Sequence, residues 1–481
     1  MSGRIDTNPG ERWVQLRPLV AILIVLTLIT FAYQPMRPPP PIPADAPADA
    51  FSAERAFEHV QVIAEHPHPM GSEAIDDVRG YIVEQLGELG LEPDLQTVAA
   101  RDYFRGAGMV DVVNIVARIS GTKGPSAVAF MAHYDTVPAT PGANDNSAAV
   151  AALLELGRAL RDGDPLANDV LLVFTDGEEP QPRFGSRAFV TDNAAFEDIN
   201  LIVNLEASGG AGASILAETS GPQQWLVGEL ANAGSGLAAF SFVTDMTQLF
   251  GELGTDFDPF RQAGVPGFHF AYLHNSPIYH LAADNIDSVD LGSLQHHGNY
   301  VIGIARHFGN LPEQGSGDEA LVFFRIGPRL LSYSVSIAVL LAVALAAALV
   351  LVGADSRERG RSVGILRSLG RSAAVGVAVA VAASFAWMGV AALRQSPGVV
   401  ESYAYLVLIS GAAAYVAARW RPTGGQARIG FVIVWGVLAL VTAVWLPGFS
   451  YLFTWPGLAA IGALFWRQRT QTAVSYTHLT L

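Results

Sequence analysis

Two kinds of apolar pattern divide this chain of 481 residues. Between residues 51 and 315, short apolar runs closed by turn residues alternate with segments whose apolar positions recur every three or four residues. That alternation predicts an α/β unit. Strands are predicted at 112–119 (VVNIVARI), 126–134 (SAVAFMAHY), 169–176 (DVLLVFTD), 200–207 (NLIVNLEA) and 267–273 (GFHFAYL). Runs so continuously apolar bury both faces, so the expected fold class is a doubly wound, mainly parallel sheet with helices on both faces. Helices are predicted over 146–162, with Asn146 or Ser147 as N-cap, over 72–89, and over 291–308 after Asp290.

After Arg329 the pattern changes to long apolar stretches near 331–353, 373–393, 402–418, 429–446 and 449–466, several of them long enough to span about 30 Å of hydrocarbon. A further apolar segment lies at 18–33, behind Arg4, Arg12 and Arg17. It reads as an uncleaved anchor rather than a signal peptide, since no small-residue cleavage site follows it. The connections 355–371, 419–428 and 467–469 are basic, whereas 394–400 and 447–449 are nearly neutral. With the N-terminus inside and the α/β unit outside, every basic connection falls on the cytoplasmic side.

The expected order is therefore a cytoplasmic N-terminus (1–17), a transmembrane anchor (18–33), a stiff, extended Pro-rich linker (34–50), the α/β domain (51–315), an α-helical membrane domain of about five helices (330–466) and a cytoplasmic tail (467–481). The closing SYTHLTL resembles translated sequencing adapter, which makes the span count a lower bound. The spans hold almost no charge, with Glu401 at an edge, so anchoring is expected of them rather than transport.

Composition narrows the chemistry. The net charge of −15 argues against nucleic acid as a partner. With no cysteine, thiolate zinc sites and cysteine nucleophiles are excluded, and a metal must be held by His, Asp and Glu. Polar clusters stand at the predicted strand ends, where such sheets bind ligands: HYD (133–135), GAND (142–145), DGEE (176–179), NLEASG (204–209) and IYHLAAD (278–284). They supply His133, Asp145, Glu178, Glu179, Glu206 and His280. Two imidazoles and several carboxylates suit two Zn2+ with one carboxylate bridging, about 3.5–4 Å apart. Taken singly, each cluster reads equally as a strand-end turn or a solvated loop, and their order is what carries the signal. His66 and His68 read as loop residues, His269 as a core histidine, and His274, His296 and His297 as structural. Asp284 and Asp287 read as turn residues supporting His280, while Asp256 either lines the site or braces its loop.

With HPHPMGS (66–72), AHYDTV (132–137), GANDN (142–146), DGEE, NLEASG, TDFDPFRQAGVPG (255–267) and IYH (278–280) in order, residues 51–310 resemble the di-zinc exopeptidases of the aminopeptidase S and glutamate carboxypeptidase type. The membrane-anchored branch that includes the endoplasmic-reticulum metallopeptidase is the nearest likeness. The resemblance implies that His133 and Glu206 bind one zinc, that Glu179 and His280 bind the other, and that Asp145 bridges them. Glu206 stands where many soluble relatives have aspartate, and the membrane branch also tends to use glutamate there. Asp135, on the same side of an extended strand as His133, is expected to accept the second ring N–H. Glu178 is expected to act as general base on a two-zinc-activated water.

The implied protein is a zinc exopeptidase, an aminopeptidase before a carboxypeptidase, acting on peptides from the extracytoplasmic face of a lipid bilayer. The rival readings are an inactive scaffold or receptor on the same fold and a one-zinc glutaminyl cyclase-like acyl transferase. Relatives with a separate dimerisation domain are disfavoured, because the interval from Glu206 to His280 is shorter than the roughly hundred residues such a domain needs.

Overall fold

Alternation along each central strand sorts the apolar residues of one sheet onto two faces, and helices cover both. The computed structural model describes residues 36–358 and 426–462, apart from 107, 181–182, 235, 251–252, 313–314 and 460, with side chains described to 349 in the first segment, 250 excepted, and from 435 in the second. Helices α1 (Ala53–Ile63) and α2 (Glu73–Glu88) come first, capped by the Ser52 and Ser72 hydroxyls, which accept from the Arg55 and Ile75 N–H groups. They lead into strands β1 (Asp94–Arg101), β2 (Met109–Ile119) and β3 (Ala127–His133). There follow α3 (Ala149–Arg161), β4 (Asp169–Thr175), α4 (Phe184–Asp192), β5 (Ile199–Ala207), β6 (Ile215–Ser220), α5 (Gln223–Leu230), α6 (Ser241–Phe250), α7 (Phe257–Gln262), β7 (Gly267–Tyr272) and α8 (Leu291–Phe308).

The seven strands form one sheet in the order β1-β2-β4-β3-β5-β7-β6. Its middle, β4-β3-β5-β7, is parallel, and β2 and β6 flank it antiparallel. The fold is thus mixed α/β with a mainly parallel core. Val128, Phe130 and Ala132 of β3 join the layer beneath α1, α3 and α8, while Ala127, Ala129 and Met131 join the layer beneath α4 and α7.

Two edge strands escape the apolar pattern. β1 is largely exposed along its length, and β6, though mostly buried, runs ILAETS, so neither shows a continuous apolar run. The expected helix over 146–162 begins later, at Ala149, because residues Ala143–Ala148 form a wide turn in which Asp145 has non-helical φ and ψ of −107 and 87.

The Pro-rich segment is not a free spacer. Arg55 donates to the Ala44, Ala46 and Ala50 carbonyls and Arg158 to those of Ala48 and Ala50, while the Ile42 N–H donates to Gln295 Oε1. Two guanidinium forks on α1 and α3 bind the linker as a strap along the domain, with both arginines paired to buried Glu155.

Beyond α8, strands β8 (Leu321–Ile326) and β9 (Arg329–Ser334) form a hairpin, followed by helices α9 (Val335–Glu358) and α10 (Gln426–Trp445). The stretch expected as a helix from 331 therefore opens as a strand, since Leu331 pairs with Phe324 across the hairpin. Among the described residues no helix is long and apolar enough to cross a membrane. The spans expected at 18–33, 373–393 and 402–418 lie outside the described residues. The turn Pro447–Phe449 docks on α6, where Ser241 Oγ donates to the Gly448 carbonyl at 3.0 Å and Asp245 Oδ2 accepts the Gly448 N–H at 2.6 Å.

Candidate metal centre

The carboxyl ends of β3, β4 and β5 meet at one edge of the sheet, and each delivers a donor. His133 is the last residue of β3 and is buried. Its Nε2 lies 3.3 Å from Asp145 Oδ1 and 3.4 Å from Glu206 Oε2. Asp145 reaches this point from the wide turn after Gly142, a residue at φ 66. Asp284 organises that turn: its carboxylate accepts from the Asn144 N–H (2.9 Å), Asn144 Nδ2 (2.8 Å) and the Asp145 N–H (3.1 Å). Its carboxylate thus serves Asp145, where the sequence suggested only support for His280.

His280 arrives from the loop after β7. Its Nε2 is 3.2 Å from Asp145 Oδ2 and 3.1 Å from Glu179 Oε2. The residue sits at φ 60, a left-handed conformation that non-glycine residues rarely adopt. Tyr279, which sequence reasoning quoted within its motif but did not single out, stacks on the His280 ring with centroids 3.7 Å apart.

Asp135 departs from its expected task. His133 Nδ1 is 3.0 Å from the Asp135 backbone carbonyl and 3.6 Å from its Oδ1, so the main chain takes the ring N–H and leaves Nε2 bare. The Asp135 carboxylate instead accepts the backbone N–H groups of Glu178 at 3.0 Å and Glu179 at 3.3 Å, pinning the segment that carries both glutamates.

Among the other candidates, His66 is exposed and His68 is buried with Nδ1 2.8 Å from the His66 carbonyl. His296 and His297 bind Ser214 of the β5–β6 connection, and His274 lies in a bridge with Ala211. Asp256 is buried behind the Glu178 loop and accepts from Thr175 Oγ1. Asp287 is exposed in its turn.

The electrostatics are those of anions crowded together out of water. Burial pushes the Glu178 carboxyl well up, with Glu206 and Asp256 adding to it, and pushes Glu179 up to about 7, helped by Asp145. Burial likewise raises Glu206. Burial disfavours a charged His133, yet the Glu206 and Glu178 carboxylates outweigh it and lift the imidazole well above its usual range. His280 is raised to about 10, because hydrogen bonds to Asp145 and Glu179 overcome its burial. These groups cling to protons in the place where a cation would neutralise them.

The donor set fits a divalent metal. His133, Asp145 and Glu206 form one group, and Asp145, Glu179 and His280 a second, each with its candidate ligand atoms within 4.8 Å of one another. His133 Nε2, Asp145 Oδ2, Glu179 Oε1 and His280 Nε2 are buried without a hydrogen bond, an arrangement that is costly unless something else satisfies them. Imidazole nitrogen with carboxylate oxygen is a donor set suited to zinc.

A mainly parallel α/β sheet with His and carboxylate donors gathered at its carboxyl edge defines the class as an α/β protein with a candidate metal centre at the strand ends. Residues 114–305 match the model of Peptidase family M28. Endoplasmic reticulum metallopeptidase 1 of Mus musculus is 27% identical over 304 residues, covering 58% of this chain and 33% of that protein. Vacuolar membrane protease of Candida albicans (strain WO-1) is 28% identical over 247 residues, covering 50% of this chain and 29% of that protein. The chain thus spans about a third of the length of the curated relatives it matches. Among solved structures, the aminopeptidase from Aneurinibacillus sp. strain AM-1 is 15% identical with a TM-score of 0.43, covering 54% of this chain and 95% of that one.

Proposed function

We propose that the M28 domain is the catalytic unit of a two-zinc aminopeptidase, with His133 and Glu206 on one Zn2+, Glu179 and His280 on the other, and Asp145 between them. One observation carries this reading. Two donor sets share Asp145, and a further buried carboxylate, Glu178, stands beside them and belongs to neither. Zinc held there supplies Lewis acidity, which lowers the pKa of water from about 15.7 towards 7 and steadies a substrate carbonyl.

Glu178 takes the proton of the attacking water and returns it to the leaving amine. Asp135 keeps Glu178 and Glu179 in position through their backbone N–H groups. Action at the N-terminus of a peptide is the part of this proposal taken from the resemblance of the motifs between residues 51 and 310 to aminopeptidases. The same proposal sets the chain in a lipid bilayer with the domain on the extracytoplasmic side. Support comes from the apolar stretches with their basic connections and from a relative named as a membrane protease.

The test compares peptides with free and blocked N-termini, using detergent-solubilised protein and Glu178→Gln, each assayed for zinc. Cleavage confined to free N-termini is expected, falling by at least about a thousandfold in the variant while both zincs remain. Cyclisation of an N-terminal glutamine by a one-zinc protein would replace the reading with acyl transfer. Absence of zinc would replace it with a scaffold.

A further inference from the structure

Glu206 is held from behind as well as from within the site. Asn204 precedes it by two residues on β5, so both side chains stand on one face of the sheet. Across the ladder Asn204 is in register with His269 of β7, and His269 with Glu218 of β6. Relative exposure is 0% at Asn204, 1% at His269, 2% at Glu218 and 6% at Glu206. This polar row runs through an otherwise apolar layer of Ile202, Phe257 and Phe260, with the Phe257 ring 5.8 Å from that of His269. Polar groups so placed are costly unless they are matched to partners; Asn204 Nδ2 has one on either side, whereas its Oδ1 is buried without a hydrogen bond.

Asn204 Nδ2 lies 3.0 Å from His269 Nδ1 and 3.5 Å from Glu206 Oε1. Only the N–H side of an amide is favourable against a carboxylate oxygen, so Glu206 decides which way the amide faces. One N–H goes to each neighbour. His269 Nδ1 is therefore an acceptor, and its ring proton sits on Nε2. Burial presses the His269 pKa down to about 3, which keeps that acceptor available. The other Glu206 oxygen, Oε2, meets Asn146 Nδ2 at 3.3 Å and His133 Nε2 at 3.4 Å. One oxygen is turned to the amide, the other to the metal side.

We infer that Asn204 and His269 are positioning residues that present Glu206 to the metal through Oε2 alone, His269 acting through Asn204. The inference rests on the two-zinc reading and extends it to residues outside the ligand set. Without an acceptor at the Nδ1 position the amide is free to turn, and Glu206 loses the partner that fixes its rotamer.

The experiment titrates metal-stripped full-length protein with zinc against a competing chelator, for wild type, His269→Asn, His269→Leu and Asn204→Asp. Asparagine offers a carbonyl oxygen near the place of Nδ1, whereas leucine fills similar space with no acceptor. His269→Asn should stay within about threefold of wild type at both sites, while His269→Leu and Asn204→Asp each weaken one zinc by roughly tenfold to a hundredfold and spare the other. Cobalt substitution should show an altered visible spectrum in those two variants only. Equal affinities for His269→Asn and His269→Leu would reduce His269 to a space-filling residue and overturn the inference. Should His269→Leu not fold, unchanged zinc affinity in Asn204→Asp overturns it instead. A wild type that binds no zinc brings down the two-zinc reading itself, a distinct result.

Discussion

At the scale of single residues, the carboxylates that matter most are those that bind backbone. Asp135 Oδ1 and Oδ2 each take an N–H from the Glu178–Glu179 segment. Asp135→Asn replaces one of those oxygens with an NH2 group that cannot accept, so turnover should fall by about tenfold to a hundredfold while zinc content holds. Steady-state kinetics with metal analysis on the same sample checks this. Asp284 accepts two backbone N–H groups of the Asn144–Asp145 turn and the Asn144 side-chain amide. Asp284→Ala leaves the Asn144 and Asp145 N–H groups buried and unmatched, at a cost of about 2–3 kcal/mol, and zinc should be lost with the position of Asp145. Thermal melting and zinc content report it together. The candidate donors that the structure gathers were legible in the sequence because each stands in a short motif at a strand end. The tasks of Asp135 and Asp284 were not, because a carboxylate's choice of partner depends on loops that meet only in three dimensions.

At the scale of elements, glycines mark where helices touch. Gly298 lies inside α8, where alanine normally gains about 1 kcal/mol over glycine. A Cβ there would fall on the buried Phe51 ring, so Gly298→Ala should instead lose about 1–3 kcal/mol, read as a lower urea midpoint. At Gly448 a Cβ would meet the Ser241 carbonyl and the Asp245 side chain. Gly448→Val should release the 447–449 turn from α6. Faster amide hydrogen exchange in α6 with unchanged zinc content is the expected outcome. Periodicity exposed the central strands because both their faces are apolar, and it missed β1 and β6, which lie at the sheet's edges with a polar face. It also read 331–334 with the helix that follows, since the β8–β9 pairing comes from partners rather than from local pattern.

At the scale of the whole molecule, buried neutral histidines tie stability to pH. His269 is pressed down to about 3 and His296 to about 4, both by burial, against an ordinary value of 6.5. Below pH 6.5 the unfolded chain binds protons that the folded one refuses, so stability is full above that pH and falls as pH drops towards 4. Each histidine contributes a slope of about 1.4 kcal/mol per pH unit over that window. Melting temperature against pH should therefore be flatter in His296→Gln than in wild type. By itself the sequence determined the class of sheet, the kinds of donor and the strand ends at which they stand, because these follow from apolar periodicity, turn residues and the absence of cysteine. Only the tertiary structure decided that the Pro-rich segment lies strapped under Arg55 and Arg158, that a backbone carbonyl sets the His133 tautomer, and that Asn204 and His269 stand behind Glu206. Each of these is a hydrogen bond of fixed direction, set by backbone conformation, strand register or loop closure, and the apolar pattern along the chain does not encode such directions.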